Sequence, residues 1–136
     1  MPKLRVLIAD DHPLLRNALR TVITDEADLE LVAEVDNGQA AIEQTLALKP
    51  DVSVIDLYLP LFDGHQVIER VLQANPRAQL LVLTSSIEES NVARAVLAGA
   101  LGYLIKDSDR PEILQAIREV GQGRAYLSPA VAVKLA

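Results

Sequence analysis

The sequence predicts an open α/β sandwich in which a parallel sheet carries helices on both faces. Three observations predict it. Short apolar runs alternate with stretches of helical period along the whole chain, five times over. The central runs are apolar almost without interruption, which implies burial on both faces and therefore a parallel sheet joined by right-handed crossovers. Proline and glycine stand where those alternations need helices to begin or end.

The strands come first in each unit. Leu4 to Ala9, Leu29 to Val35, Val52 to Ile55, Leu80 to Leu83 and Gly102 to Ile105 are brief, apolar and mostly rich in branched residues. Between them lie helical stripes. Leu14, Leu15, Ala18, Leu19, Val22 and Ile23 form the first, behind Pro13 at a first helical turn. A second, from about Gln39 to Leu48, is the least amphipathic and ends before Pro50. Val67, Ile68, Val71 and Leu72 form the third, ending before Pro76. Val92, Ala93, Val96 and Leu97 form the fourth, stopped at Gly99, and Ile113, Leu114, Ile117 and Val120 the fifth, stopped at Gly121. Five βα units fill residues 1–122. Residues 123–136 read as a linker, with Ser128-Pro129 as a helix start and a helical look from Ala130 to Ala136, although this signal alone fits a short packed tail equally well.

Composition narrows the function classes. The 136 residues suit one domain, and half of them are hydrophobic, enough for a core without staples. There is no cysteine, which excludes disulfides, thiolate metal sites and a thiol nucleophile and suits a reducing compartment. The longest charge-free stretch, Ala95 to Ile105, is 11 residues, against the roughly 20 that a membrane helix needs. After Met1-Pro2-Lys3 the apolar run is broken by Arg5 and stopped at Asp10 and Asp11, so it makes no export signal, and the cytoplasm is the expected location. A net charge of −6 with three Tyr, one Phe and no Trp leaves little with which this segment could hold nucleic acid, and favours a cation as partner.

In such a sheet, ligands gather beyond the carboxyl ends of the strands, near the point where strand order reverses. Strand one ends in Asp10 and Asp11, strand three in Asp56, strand four in Thr84 and strand five in Lys106. Carboxylates brought together repel unless a proton or a cation joins them, and hard oxygen donors suit Mg2+. Mg2+ beside a carboxylate, with an ammonium and a hydroxyl at the same spot, is equipment for phosphoryl transfer, with Asp56 as the nucleophile. Each residue alone has an ordinary explanation: Asp11 as a helix cap, Asp10 as a solvated strand end, Thr84 as a strand residue, Lys106 as a surface charge and Asp63-Gly64 as a turn or helix start. Convergence at four strand ends outweighs them. Spacing alone still leaves a phosphoacceptor and a Mg2+-dependent phosphatase both open. Tyr103 reads as core packing with its hydroxyl reaching water. His12 and His65 read as surface residues without a role, and Arg16, Arg20, Arg77, Arg94 and Arg110 as solvated faces.

Four segments carry a resemblance: Val6-Leu-Ile-Ala-Asp10-Asp11-His-Pro, Pro50-Asp-Val-Ser-Val-Ile-Asp56-Leu-Tyr-Leu-Pro60 with Asp63-Gly64, Val82-Leu-Thr84-Ser-Ser, and Gly102-Tyr103-Leu-Ile-Lys106-Asp. In this order and at these spacings the chain resembles the receiver domains of two-component response regulators over essentially its whole length. His12-Pro13-Leu-Leu-Arg, Lys106-Asp107 and Gly123-Arg-Ala-Tyr-Leu-Ser-Pro resemble the NarL/FixJ subgroup, which usually carries a C-terminal helix-turn-helix DNA-binding domain of LuxR type.

The resemblance implies a flavodoxin-like (βα)5 three-layer sandwich with five parallel strands in the order 2-1-3-4-5. It implies that Asp56 takes a phosphoryl group from the phosphohistidine of a sensor histidine kinase. It further implies that Asp11, Asp56 and the Tyr58 carbonyl bind Mg2+, with Asp10 acting mainly through water. Lys106 would pair with the phosphoryl oxygens, Thr84 would bond the group after transfer, and Tyr103 would rotate inward as Thr84 moves. Tyr58 and Ser86 would border the group. The expected partners are the kinase, a second copy of the chain on phosphorylation, and DNA through a C-terminal domain outside this sequence. A stand-alone receiver in a phosphorelay, or an interaction module, is the alternative. Asp107 stands where many receivers have proline, so no cis bond is expected after Lys106.

Overall fold

The computed structural model describes residues 2–85 and 89–135. Its elements run β1 (Leu4–Ala9), α1 (Pro13–Thr24), β2 (Leu29–Val35), α2 (Gly38–Leu48), β3 (Val52–Ile55) and α3 (Gly64–Ala74). They continue with β4 (Leu80–Thr84), α4 (Glu89–Ala98), β5 (Gly102–Ile105), α5 (Arg110–Gly121), β6 (Tyr126–Leu127) and α6 (Pro129–Leu135). The sheet order is β2-β1-β3-β4-β5-β6, with every pairing parallel.

Alternation along each strand builds two cores. Val6 and Ile8 of β1, Val54 of β3, Leu81 and Leu83 of β4 and Leu104 of β5 meet α1 and α5 through Leu19, Ile23, Ile113 and Ile117. Leu7 and Ala9, Ile55, Leu80 and Val82, and Tyr103 face the other way, onto α2, α3 and α4 through Ala41, Val67, Ile68, Val71, Val92 and Ala95. Because the central strands are walled on both sides, only their ends reach solvent. β1 lies between β2 and β3, so successive connections leave it in opposite directions, and the resulting crevice opens beyond Ala9 and Ile55.

Three expectations are corrected. The sheet has six strands: β6 continues it past β5, with Tyr126 N–H donating to Leu101 O at 3.1 Å and Ser128 N–H to Tyr103 O at 3.2 Å. A two-residue strand after Gly121-Gln-Gly is too short for any periodicity to mark it. α4 is rotated from its expected stripe, burying Val92 and Ala95 while Val96 and Leu97 stand 38% and 87% exposed. From Val92 to Ala98 only Arg94 is polar, so several faces fit the helical period, and packing against α3 and α6 chooses among them. His65 is buried rather than a surface residue: it lies in the first turn of α3, on a helix closely packed between α2 and α4.

Helix starts follow their chemistry. Asp63 caps α3 in a reciprocal box with Gln66, and Asp109 caps α5 through Glu112 N–H. Gly64 allows α3 to press on the loop after β3: a Cβ there would lie 2.6 Å from both Asp56 O and Leu57 Cα. None of the described helices is long and apolar enough to cross a membrane, and no cis peptide bond occurs among the described residues.

Candidate functional site

The crevice is built from strand ends. Asp10 follows β1, and its N–H donates to Val35 O at 3.0 Å, while Asp56 follows β3 and donates to Ala9 O at 3.0 Å. These two ladder bonds carry the sheet one residue past its apolar core and deliver both carboxylates to the switch point. Lys106 arrives in the same way from β5, its N–H donating to Thr84 O at 2.8 Å.

The side chains then converge. Lys106 Nζ lies 3.1 Å from Asp56 Oδ2 and 3.2 Å from Asp10 Oδ2, and the two carboxylates are 1% and 2% exposed. Asp56 Oδ1 accepts from Tyr58 N–H at 3.3 Å, which ties the following loop to the acid. Asp11, at the rim, is more than a third exposed. Thr84 is fully buried at the end of β4, opposite Ile105 in the ladder. Tyr103 is fully enclosed as well, so its hydroxyl does not reach water, and burial pushes its ionisation well above the usual phenol range, with the charge of Tyr58 adding to the effect. The Tyr58 side chain is 55% exposed at the mouth. Ser86 lies outside the described residues.

Burial also pushes the Asp56 carboxyl above the ordinary carboxylate range. The Lys106 ammonium opposes that rise and the neighbouring Asp10 adds to it. Asp10 Oδ2 is buried and accepts no hydrogen bond, since Lys106 Nζ reaches it only as an ion pair. Oxygens of Asp10, Asp11 and Asp56, together with His12 Nδ1, lie within 4.8 Å of one another. Donors about 2.1 Å from a shared ion stand no more than about 4.2 Å apart, so this set closes on a small divalent cation with shifts of a few tenths of an ångström. An orphaned carboxylate oxygen among repelling acids is the environment that such a cation relieves. The residues fit Mg2+.

Two participants were not legible as such. His12, the N-cap residue of α1, turns its ring into the acidic group, with Nδ1 3.0 Å from Asp10 Oδ1 and 3.1 Å from Lys106 Nζ. Arg16 donates from Nη1 to Asp10 O at 2.8 Å, which fixes the backbone beneath the acid pair. It was expected on a solvated face, but one helical turn after His12 places it back over the strand end. A histidine directly after paired acids and an arginine four residues later are the signals that were there to use.

The model of the response regulator receiver domain family matches residues 6–118. The chain is 33% identical over 129 residues to the transcriptional regulatory protein DegU of Brevibacillus brevis, covering 95% of this chain and 55% of that one. It is 35% identical over 134 residues to the probable transcriptional regulatory protein NarL of Mycobacterium tuberculosis, covering 98% and 62%. This chain therefore spans little more than half the length of such relatives. Among solved structures, a LuxR-family two-component response regulator from Aurantimonas sp. SI85-9A1 superposes with a TM-score of 0.92 at 32% identity, covering 98% of this chain and 95% of that one.

Proposed function

This chain belongs to the response regulator receiver domain family, and from that premise we propose that it is a phosphorylation switch whose acceptor is Asp56. One observation carries the reading: a buried carboxylate at the sheet's switch point, held between a second buried acid and the Lys106 ammonium at 3.1 Å. An Asp56 oxygen attacks the phosphorus of a phosphohistidine on a sensor kinase. The P–O bond forms as the P–N bond breaks, and the electron pair leaves on the imidazole nitrogen, which takes a proton from solvent. Asp11, Asp56 and the Tyr58 carbonyl would hold Mg2+, with Asp10 behind them. The ion supplies positive charge against the phosphoryl oxygens.

Lys106 then turns from the two carboxylates toward the new group, which brings roughly 1.5 to 2 negative charges into an acidic crevice. The Thr84 hydroxyl donates to the same group. Thr84 and Tyr103 sit on neighbouring strands β4 and β5, so a shift at one repacks the other, and the face formed by α4, β5 and α5 reports the change. The receiver acts on itself, gaining and losing phosphate, and turns over no released substrate.

Residues 1–122 are the receiver and residues 123–136 lead toward a DNA-binding domain, as suits relatives that are longer and named as transcriptional regulators. β6 and α6 leave along β5 and α4, beside Tyr103, which supports that route for the output. Cytoplasmic location and pairing with a second copy on phosphorylation belong to the same reading.

Beryllofluoride, a phosphoryl mimic, tests it by fluorine NMR. Stoichiometric binding that needs Mg2+ is expected. Binding indifferent to Mg2+, or repeated turnover of a phosphomonoester, would replace the switch with another chemistry.

A further inference from the structure

We propose that His12 is a metal ligand, and that its Nδ1 makes the cation site a mixed oxygen-nitrogen site with a preference for first-row transition ions over Mg2+. The inference rests on the reading of this crevice as a divalent-cation site and concerns which ion that site selects.

The geometry is particular to the ring. Nδ1 lies 3.0 Å from Asp10 Oδ1, 3.3 Å from Asp11 Oδ1 and 3.8 Å from Asp56 Oδ2, so it sits among the three acids rather than beyond them. The position is held from the backbone. His12 N–H donates to Asp10 Oδ1 at 2.8 Å, Arg16 N–H donates to His12 O at 2.9 Å, and Pro13 fixes the next residue as the first of α1. The side chain is 61% exposed, so no core packing accounts for the place of its nitrogen among the acids.

The hydrogen-bonding roles around Nδ1 conflict. If the nitrogen carries a proton, it suits the Asp10 oxygen but opposes the Lys106 ammonium 3.1 Å away. If it carries a lone pair, it suits Lys106 but faces the carboxylate oxygens lone pair to lone pair. A shared cation removes the second conflict. Independently, the buried Asp10 Oδ2 lacks a hydrogen bond in the same crevice. Three carboxylates alone suit Mg2+, which favours oxygen and keeps its waters, whereas an imidazole nitrogen draws the set toward Mn2+, Co2+ or Zn2+.

Pulsed EPR of the Mn2+-loaded protein tests this without reference to phosphorylation. A nitrogen coupling of the size of a bound imidazole is expected, and it is lost in His12→Ala. His65 is the other histidine, so the loss assigns the ligand. In equilibrium titrations the same substitution is expected to weaken Mn2+ about tenfold while moving Mg2+ less than about threefold. Mn2+ bound without nitrogen coupling, or a Mn2+ to Mg2+ ratio unchanged by His12→Ala, would overturn the role of His12 and leave the cation site standing. No Mn2+ or Mg2+ binding at all would overturn both.

Discussion

Asp56 holds its charge where burial penalises it, with Asp10 beside it, and Lys106 and the Tyr58 N–H offset the two only in part. Its folded proton affinity is therefore raised above the unfolded value. The folded state binds the proton more readily, so metal-free stability is greatest when Asp56 is protonated and is lost as pH rises through the ordinary carboxylate range toward the elevated value. Asp56→Asn removes that loss. We expect the variant to melt higher than the parent in metal-free buffer at neutral pH, with the difference shrinking under mildly acidic conditions, as read by thermal denaturation. A variant that melts lower at neutral pH would mean the carboxylate is not held against its preference. That Asp10, Asp11, Asp56 and Lys106 meet was legible from sequence because they stand at strand ends, and the fold brings strand ends together. His12 was not, since it follows the strand end by three residues and only the fold shows its nitrogen among acids that include Asp56, 44 residues away.

The loop after β3 carries Tyr58 beside Asp56, and α3 pins that loop through Gly64 N–H, which donates to Leu57 O at 2.8 Å. The capping box sets where α3 begins: Asp63 Oδ1 accepts from Gln66 N–H at 2.9 Å and Gln66 Oε1 accepts from Asp63 N–H at 3.0 Å. Asp63→Ala removes one half of it and is expected to cost about 1 kcal/mol, measured as a lowered denaturation midpoint with an unchanged slope. No change in midpoint would show that Gly64 and the buried face of α3 hold the helix start unaided. Elements with a strict stripe, such as α3 and α5, were readable as helices with their buried faces and their C-terminal stops. α4 was readable as a helix but not in its rotation, because a sequence apolar on most sides leaves that choice to its neighbours. β6 left no trace, since two residues have no period and the β5 edge, not local preference, makes them a strand.

At the scale of the molecule, the sheet serves as a collecting device: buried strands fix where their ends stop, and one rim gathers what the sequence distributes. The parallel sheet was legible from the alternation of apolar runs and helical stripes, while the order of β1, β3, β4 and β5 was legible only through the resemblance to receiver domains, and the crevice followed from both. The C-terminal segment extends the sheet and closes over β5 and α4 through the fully buried Val131, next to the strand that carries Tyr103. A change at Asp56 thus has a packed route to α6. That route matters only if Asp56 takes the phosphoryl group. The direct measurement is covalent labelling of the protein by acetyl phosphate in the presence of Mg2+, read by intact mass, for the parent and for Asp56→Asn. The account predicts one phosphoryl adduct on the parent, not formed when Mg2+ is chelated before the donor is added, and missing from the variant. Undiminished labelling of Asp56→Asn would contradict it.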